Sequence, residues 1–168
     1  PGAWSARLPE AFLVIAMVVS TWLVVHLTQD FTSIQDEWDP LLNRPGWGID
    51  QIFAPFNGHP TMIPVVIYKT VQEVFGMDSA RPVQIIHAGL LLVMNGLLFV
   101  YLRRRVGDWA ALIGTVMVLF LGAAFEVLLF PFTMNFVGAI AAGIGALLAL
   151  DRDDRRGAIS ASFLMVVG

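Results

Sequence analysis

The sequence predicts an all-α, polytopic helical membrane protein: four spans, a partial fifth, and a large extracytoplasmic loop carrying amphipathic helices. Three observations carry this. The 168 residues are 57% hydrophobic and 14% charged, with a mean hydropathy of +0.74, more apolar surface than a soluble domain of that length needs. Apolar runs of about the 20 residues that cross a bilayer recur along the chain. The basic residues gather at the ends of those runs. The same composition narrows function. There is no cysteine, which excludes disulfides and thiolate metal sites. The basic residues form no stripe, so a nucleic-acid partner has no support. The net charge of −3 says little, because the distribution of charge among loops is what matters here.

The first span is 11–28, AFLVIAMVVSTWLVVHLT. A cleaved signal peptide is the competing reading, but the run is long for one and no small-residue cleavage site follows. The loop 29–82 comes next. It holds seven of the thirteen acidic residues: Asp30, Asp36, Glu37, Asp39, Asp50, Glu73 and Asp78. Arg44-Pro45-Gly46-Trp47-Gly48 reads as a turn. Residues 49–56 form a short surface helix, with Ile49, Ile52, Phe53 and Phe56 on one face. Residues 60–75 form a longer one, in which Ile63, Val66, Ile67, Val71, Val74 and Phe75 recur at helical spacing. Lys69, Gln72 and Glu73 fall elsewhere on its wheel, and Gly76 stops it. This helix either lies in the membrane interface or packs on neighbouring spans.

The second span, 83–102, ends in Arg103-Arg104-Arg105 and carries His87 and Asn95, polar groups that face other helices at that depth. The third span is 109–124 and the fourth 132–150, with Glu126 and Pro131 in the connection between them. Gly138, Ala142 and Gly145 give the fourth span a small-residue face for close packing. The charged stretch 151–156 leads into a partial fifth span, 158–168. All of this is one transmembrane domain, 1–168. It begins at Pro1 and stops within an apolar run, which is expected of a piece truncated at its C-terminus.

The basic clusters predict orientation. Arg103–Arg105 stay cytoplasmic, so the loop 29–82 is extracytoplasmic; Arg7 and the arginines of 152–156 then fall on the cytoplasmic side as well. The expected location is the plasma membrane, multi-pass, with a cytoplasmic N-terminus. By the same parity Glu126 shares the outer side with Asp36. Outer carboxylates Asp36, Glu37, Asp39 and Glu126 are therefore candidates for one site, either holding a hard divalent cation or taking a proton from an incoming hydroxyl. A solvated acidic turn at Asp36 and a snorkelling carboxylate at Glu126 are the plainer readings. No Ser-His-Asp, HExxH or phosphate-loop signature is present.

The order of elements resembles a known family. A span is followed by Asp36-Glu37, then an aromatic and Gly-rich turn, then NGHPTMIPVVIYKTVQEVFGMDSARPVQIIHAGLLLVM. This resembles the N-terminal portion of the GT-C superfamily of membrane glycosyltransferases, which use polyprenyl-phosphate-linked sugars. The matching parts are Asp36-Glu37, Gly58-His59-Pro60, the helix 65–76, Arg81 opening the second span, and Glu126 as the second outer acid. The stretch FLGAAFEVLLFPFTMNFVGAIAAGIGALLALDR is similar to actinobacterial membrane proteins of the same general kind.

The resemblance implies a cell-envelope transferase that moves a sugar from a polyprenyl-phosphate donor to an acceptor on the outer side. Asp36 would be the general base, or would share a divalent ion, Mg or Mn, with Glu126. Glu37 or Asp39 would support it. His59 or Arg81 would contact the lipid phosphate, with Lys69 a further donor-side candidate. The family's usual Lys-Pro-Pro stands here as Gly58-His59-Pro60, which moves the phosphate contact to His59. Two other classes stay open: a non-catalytic membrane subunit packed against partner proteins in a larger complex, and a transporter or flippase component. The latter calls for polar or broken mid-membrane helices, to which Asn95 comes nearest.

Overall fold

The computed structural model describes residues 7–30, 35–76 and 80–167; Asp78 lies outside them. The described chain is helical, with one isolated antiparallel bridge, Phe56 to His59. Helix α1 spans Leu8–Leu27, with Pro9 in its first turn, where a missing N–H costs nothing. A 3-10 turn at Gln35–Glu37, a wide turn at Asp39–Asn43 and the four-residue α2, Ile49–Ile52, form the loop. Helix α3, Met62–Phe75, ends at Gly76, and α4, Arg81–Val106, ends at Gly107. Both glycines take positive φ, 76° and 85°, conformations that end a helix without a Cβ penalty. Then come α5, Asp108–Leu119; α6, Phe125–Leu129; α7, Met134–Leu150; and α8, Arg155–Val167.

Among the described residues three stretches are long and apolar enough to cross a membrane: Leu8–Leu27, Arg81–Val106 and Pro131–Leu150. A fourth is counted if α5 and the Gly122–Leu129 segment act as one bent span. Side chains are distributed inside out relative to a water-soluble core. Ser20, Gln84, His87, Asn95 and Thr115 are buried, whereas Val14, Ile15, Val18, Trp22, Ile85 and Val93 are exposed. Only 22% of the apolar window of α1 and 33% of that of α4 is buried, so most of each faces outward. Water would penalise that arrangement, and hydrocarbon chains favour it.

The third apolar stretch differs from the expected continuous helix over 109–124. Helix α5 stops after twelve residues, about 18 Å at 1.5 Å per residue, and Gly122–Leu129 leaves it at 42°. Glu126 therefore sits in the first turn of α6 rather than in an open connection.

Helices α1 and α4 run antiparallel, and α4 and α7 run side by side in the same direction. At one end Arg103 pairs with Glu10 and, at 2.7 Å, with Asp108, while Arg105 pairs with Asp151 at 3.0 Å. At the other end Gln84 donates to the carbonyl of Thr28 at 3.2 Å. The arginine cluster and the loop thus occupy opposite ends of α4. Small residues allow close packing along α7: Gly138 faces Leu90 of α4, and a Cβ at Gly145 would stand 3.2 Å from Leu164 of α8.

Candidate functional site

The loop is built on buried polar anchors rather than on an apolar core of its own. Arg44, buried, binds Asp39 at 2.7 Å and donates to the carbonyls of Ala54 at 2.7 Å and Gln51 at 3.2 Å. A guanidinium reaches three acceptors at once because its donors fan out in one plane. Lys69 donates to the Gly46 carbonyl at 2.5 Å and lies 5.4 Å from the centre of the Trp47 ring. The Trp47 indole in turn donates to Glu73. These contacts fold the 44–54 segment over α3.

The first carboxylates follow from that scaffold. Glu37 is buried and accepts a hydrogen bond from the Tyr68 hydroxyl of α3 at 2.7 Å. Burial, and then the Glu37 carboxylate beside it, push the Tyr68 phenol far above its ordinary range, so Tyr68 remains the donor. Asp36, one residue earlier, is exposed. On the other side, the carbonyl of Val127 accepts from His87 Nε2 at 3.0 Å, and Thr133 Oγ1 donates to the carbonyl of Phe130 at 2.7 Å. A carbonyl only accepts, so the His87 proton is on Nε2. Nδ1 is buried with no partner among the described residues.

These two segments meet at a cleft of about 360 Å³. Asp36, Glu37 and Glu126 contribute its acids, Phe125, Phe130 and Phe132 its aromatic walls, and Thr133 a hydroxyl. Carboxylates from residues 36–37 and 126 thus come together from separate parts of the chain.

The remaining sequence candidates do not line the cleft. Asp39 turns to Arg44. His59 closes a tight hairpin in which Asn57 and Gly58 both take positive φ, 49° and 78°, as an Asn-Gly two-residue turn requires. That hairpin lies on the start of α7, with Phe56 5.2 Å from Phe132 and His59 6.0 Å from Phe136, ring centre to ring centre. Arg81 is exposed at the start of α4. Lys69 corrects the helical-wheel expectation: it lies on the buried face of α3 with Val65, Tyr68 and Val71, because the loop supplies a carbonyl to hold its ammonium. Sequence reasoning missed Arg44 and Tyr68. Tyr68 carried a signal, since its spacing from Val65 and Val71 places it on one face with them. Arg44 carried none, because two of its partners are backbone carbonyls.

Among the described residues no three His, Asp or Glu side chains form a metal-holding group. Asp36 and Glu126 offer two carboxylates at one cleft. That donor set suits a hard cation whose other ligands are water and phosphate oxygens, rather than a closed protein cage.

No family model, curated protein or solved structure matches this chain.

Proposed function

We propose that this protein is a membrane glycosyltransferase of GT-C type that moves a sugar from a polyprenyl-phosphate donor to an acceptor hydroxyl on the extracytoplasmic side. The observation that supports the reading is the convergence of Asp36 and Glu126 on one aromatic-walled cleft at the end of a bundle whose flanks are apolar. Such a site lets a lipid-linked donor keep its tail among hydrocarbon chains while its sugar reaches carboxylates.

In this reading Asp36, exposed and facing the cleft, accepts the proton of the acceptor hydroxyl as that oxygen bonds to the anomeric carbon. The bond from that carbon to the phosphate oxygen breaks, and the lipid phosphate leaves with the electron pair. Glu37, held by Tyr68, keeps the Asp36 turn in place. In the alternative assignment Asp36 would instead share a divalent cation with Glu126, and that cation would offset the charge of the donor phosphate. The phenylalanine walls offer apolar faces to the sugar ring. Arg81 and His59, outside the cleft, serve the lipid phosphate or its approach. The orientation that fits places Arg103–Arg105 in the cytoplasm and the cleft outside.

The test is sugar transfer by the full chain in lipid nanodiscs supplied with polyprenyl-phosphate sugars, with Mg²⁺ or Mn²⁺ and with a chelator. Transfer that is lost in Asp36→Asn, while helicity and membrane insertion stay unchanged, is the expected result. Transfer that survives that substitution removes Asp36 from the chemistry. Absence of transfer with every donor moves the protein to the non-catalytic class.

A further inference from the structure

Two side chains on one turn of α4 bind backbone carbonyls, one at the end of α1 and one beside Glu126. Gln84 Nε2 donates to the carbonyl of Thr28, at the end of α1 and upstream of Asp36. His87 Nε2 donates to the carbonyl of Val127, the residue after Glu126. Three residues apart on a helix, the two side chains lie on one face. Both are buried, at 5% and 1% exposure, so neither bond competes with bulk water.

The segment that carries Glu126 has little rigidity of its own. Helix α6 has five residues and departs from the line of α5. Its length leaves most of its backbone groups outside any internal helical bond. Helix α4, by contrast, has 26 residues and packs its Leu91 and Met94 against Val137 and Ala141 of α7.

We propose that His87 is a positioning residue, a donor on rigid α4 that sets where Glu126 stands relative to Asp36, whose own turn Tyr68 holds through Glu37. The proposal rests on the reading of the cleft as the reactive site. Thr133 Oγ1 lies 3.3 Å from the Val127 carbonyl, but its one proton goes to the Phe130 carbonyl at 2.7 Å, so His87 is the side-chain donor that holds Val127.

The chain has no cysteine, which makes the separation directly measurable. In the full chain, the pair Asp36→Cys and Glu126→Cys is treated with bifunctional thiol reagents of graded length, and the preferred length is read by gel mobility. His87→Leu is expected to abolish the length preference. His87→Gln is expected to keep it, because its amide N–H reaches the same carbonyl. Gln84→Met, which loses only the tie to Thr28 of α1, is expected to keep it. Thermal midpoints are recorded alongside: a residue that only stabilises the fold lowers the midpoint and leaves the length preference intact.

A preference unchanged in a folded His87→Leu chain overturns the proposal, as does a preference lost in a folded His87→Gln chain. If His87→Leu does not fold, His87→Asn, whose shorter amide does not reach the Val127 carbonyl, decides by the first of these outcomes. No sugar transfer is read, so failure of the glycosyltransferase reading and failure of this proposal are distinguishable.

Discussion

The Tyr68 hydroxyl donates to the Glu37 carboxylate across 2.7 Å, with both side chains buried, and this bond joins the acid-bearing turn to α3. Removing the donor leaves a buried carboxylate short of a partner, which costs about 1.5–3 kcal/mol. Tyr68→Phe is therefore expected to lower the unfolding free energy by about that amount. Glu37→Gln, which still offers an acceptor, is expected to cost less. Denaturant titration of both variants in detergent checks the order; equal stability of Tyr68→Phe and the parent would show that the bond contributes nothing.

The burial of Tyr68, and then the Glu37 carboxylate beside it, give an alkaline signature. The Tyr68 phenol is raised in the folded state, so its contribution is complete below the unfolded value of 10.0 and is lost progressively as pH rises beyond it. Stability should fall more steeply above pH 10 in the parent than in Tyr68→Phe. Melting midpoints across the alkaline range measure the difference.

At the other end, Asp151 is held below its ordinary carboxylate value of 3.8, first by its hydrogen bond to Arg105 and then by Arg104. A depressed carboxylate stabilises above the unfolded value, and that stabilisation is lost as pH falls through the folded value. The stability gap between parent and Asp151→Asn should therefore narrow as the pH drops below about 4, and also as salt is added. A gap that stays constant with pH would remove this pair from the account.

Arg44 holds Asp39 and two carbonyls, so it is expected to tolerate no replacement. Arg44→Met leaves Asp39 without its cation and should cost about 3–5 kcal/mol if the loop stays folded. Lysine lacks the planar fork and should recover only part of the loss. Faster limited proteolysis between residues 44 and 60, with the spans intact, is the expected readout.

Gly107 and Gly143 form a matched pair. Each has nothing within 4 Å of an added Cβ, but Gly107 sits at φ +85° and ψ 171° and Gly143 lies within α7. Gly107→Ala should destabilise by about 1–3 kcal/mol through backbone strain alone. Gly143→Ala should be neutral or stabilise by up to about 1 kcal/mol. Equal effects would mean that space rather than dihedral angle governs the turn.

Apolar run length sufficed to place α1, α4 and α7, because hydropathy reports what a span must do over its whole length. Asp36 and Glu126 come to one cleft because α4 runs away from the loop end and α5 runs back towards it, an alternation that successive apolar runs suggest without fixing how many of them cross a membrane. The break after Leu119 was not legible. Phe120 and Leu121 continue the apolar run, and hydropathy carries no information about backbone direction. Lys69 was assigned to the polar face because a helical wheel cannot know that Gly46 will fold over it. The hold of His87 on α6 was hidden for a related reason, since a backbone carbonyl leaves no trace in residue type.

The short α5 gives the bundle two rims of unequal height. A helix of about 18 Å stands beside α4, which at 26 residues is about 39 Å long. Where α5 alone crosses hydrocarbon about 30 Å thick it falls short, and a short span is accommodated by local thinning of the lipid. On the proposed reading of the cleft, that thinning would bring the boundary between water and lipid towards Glu126. A greasy molecule and a water-borne one could then touch the same carboxylate without either leaving its own phase.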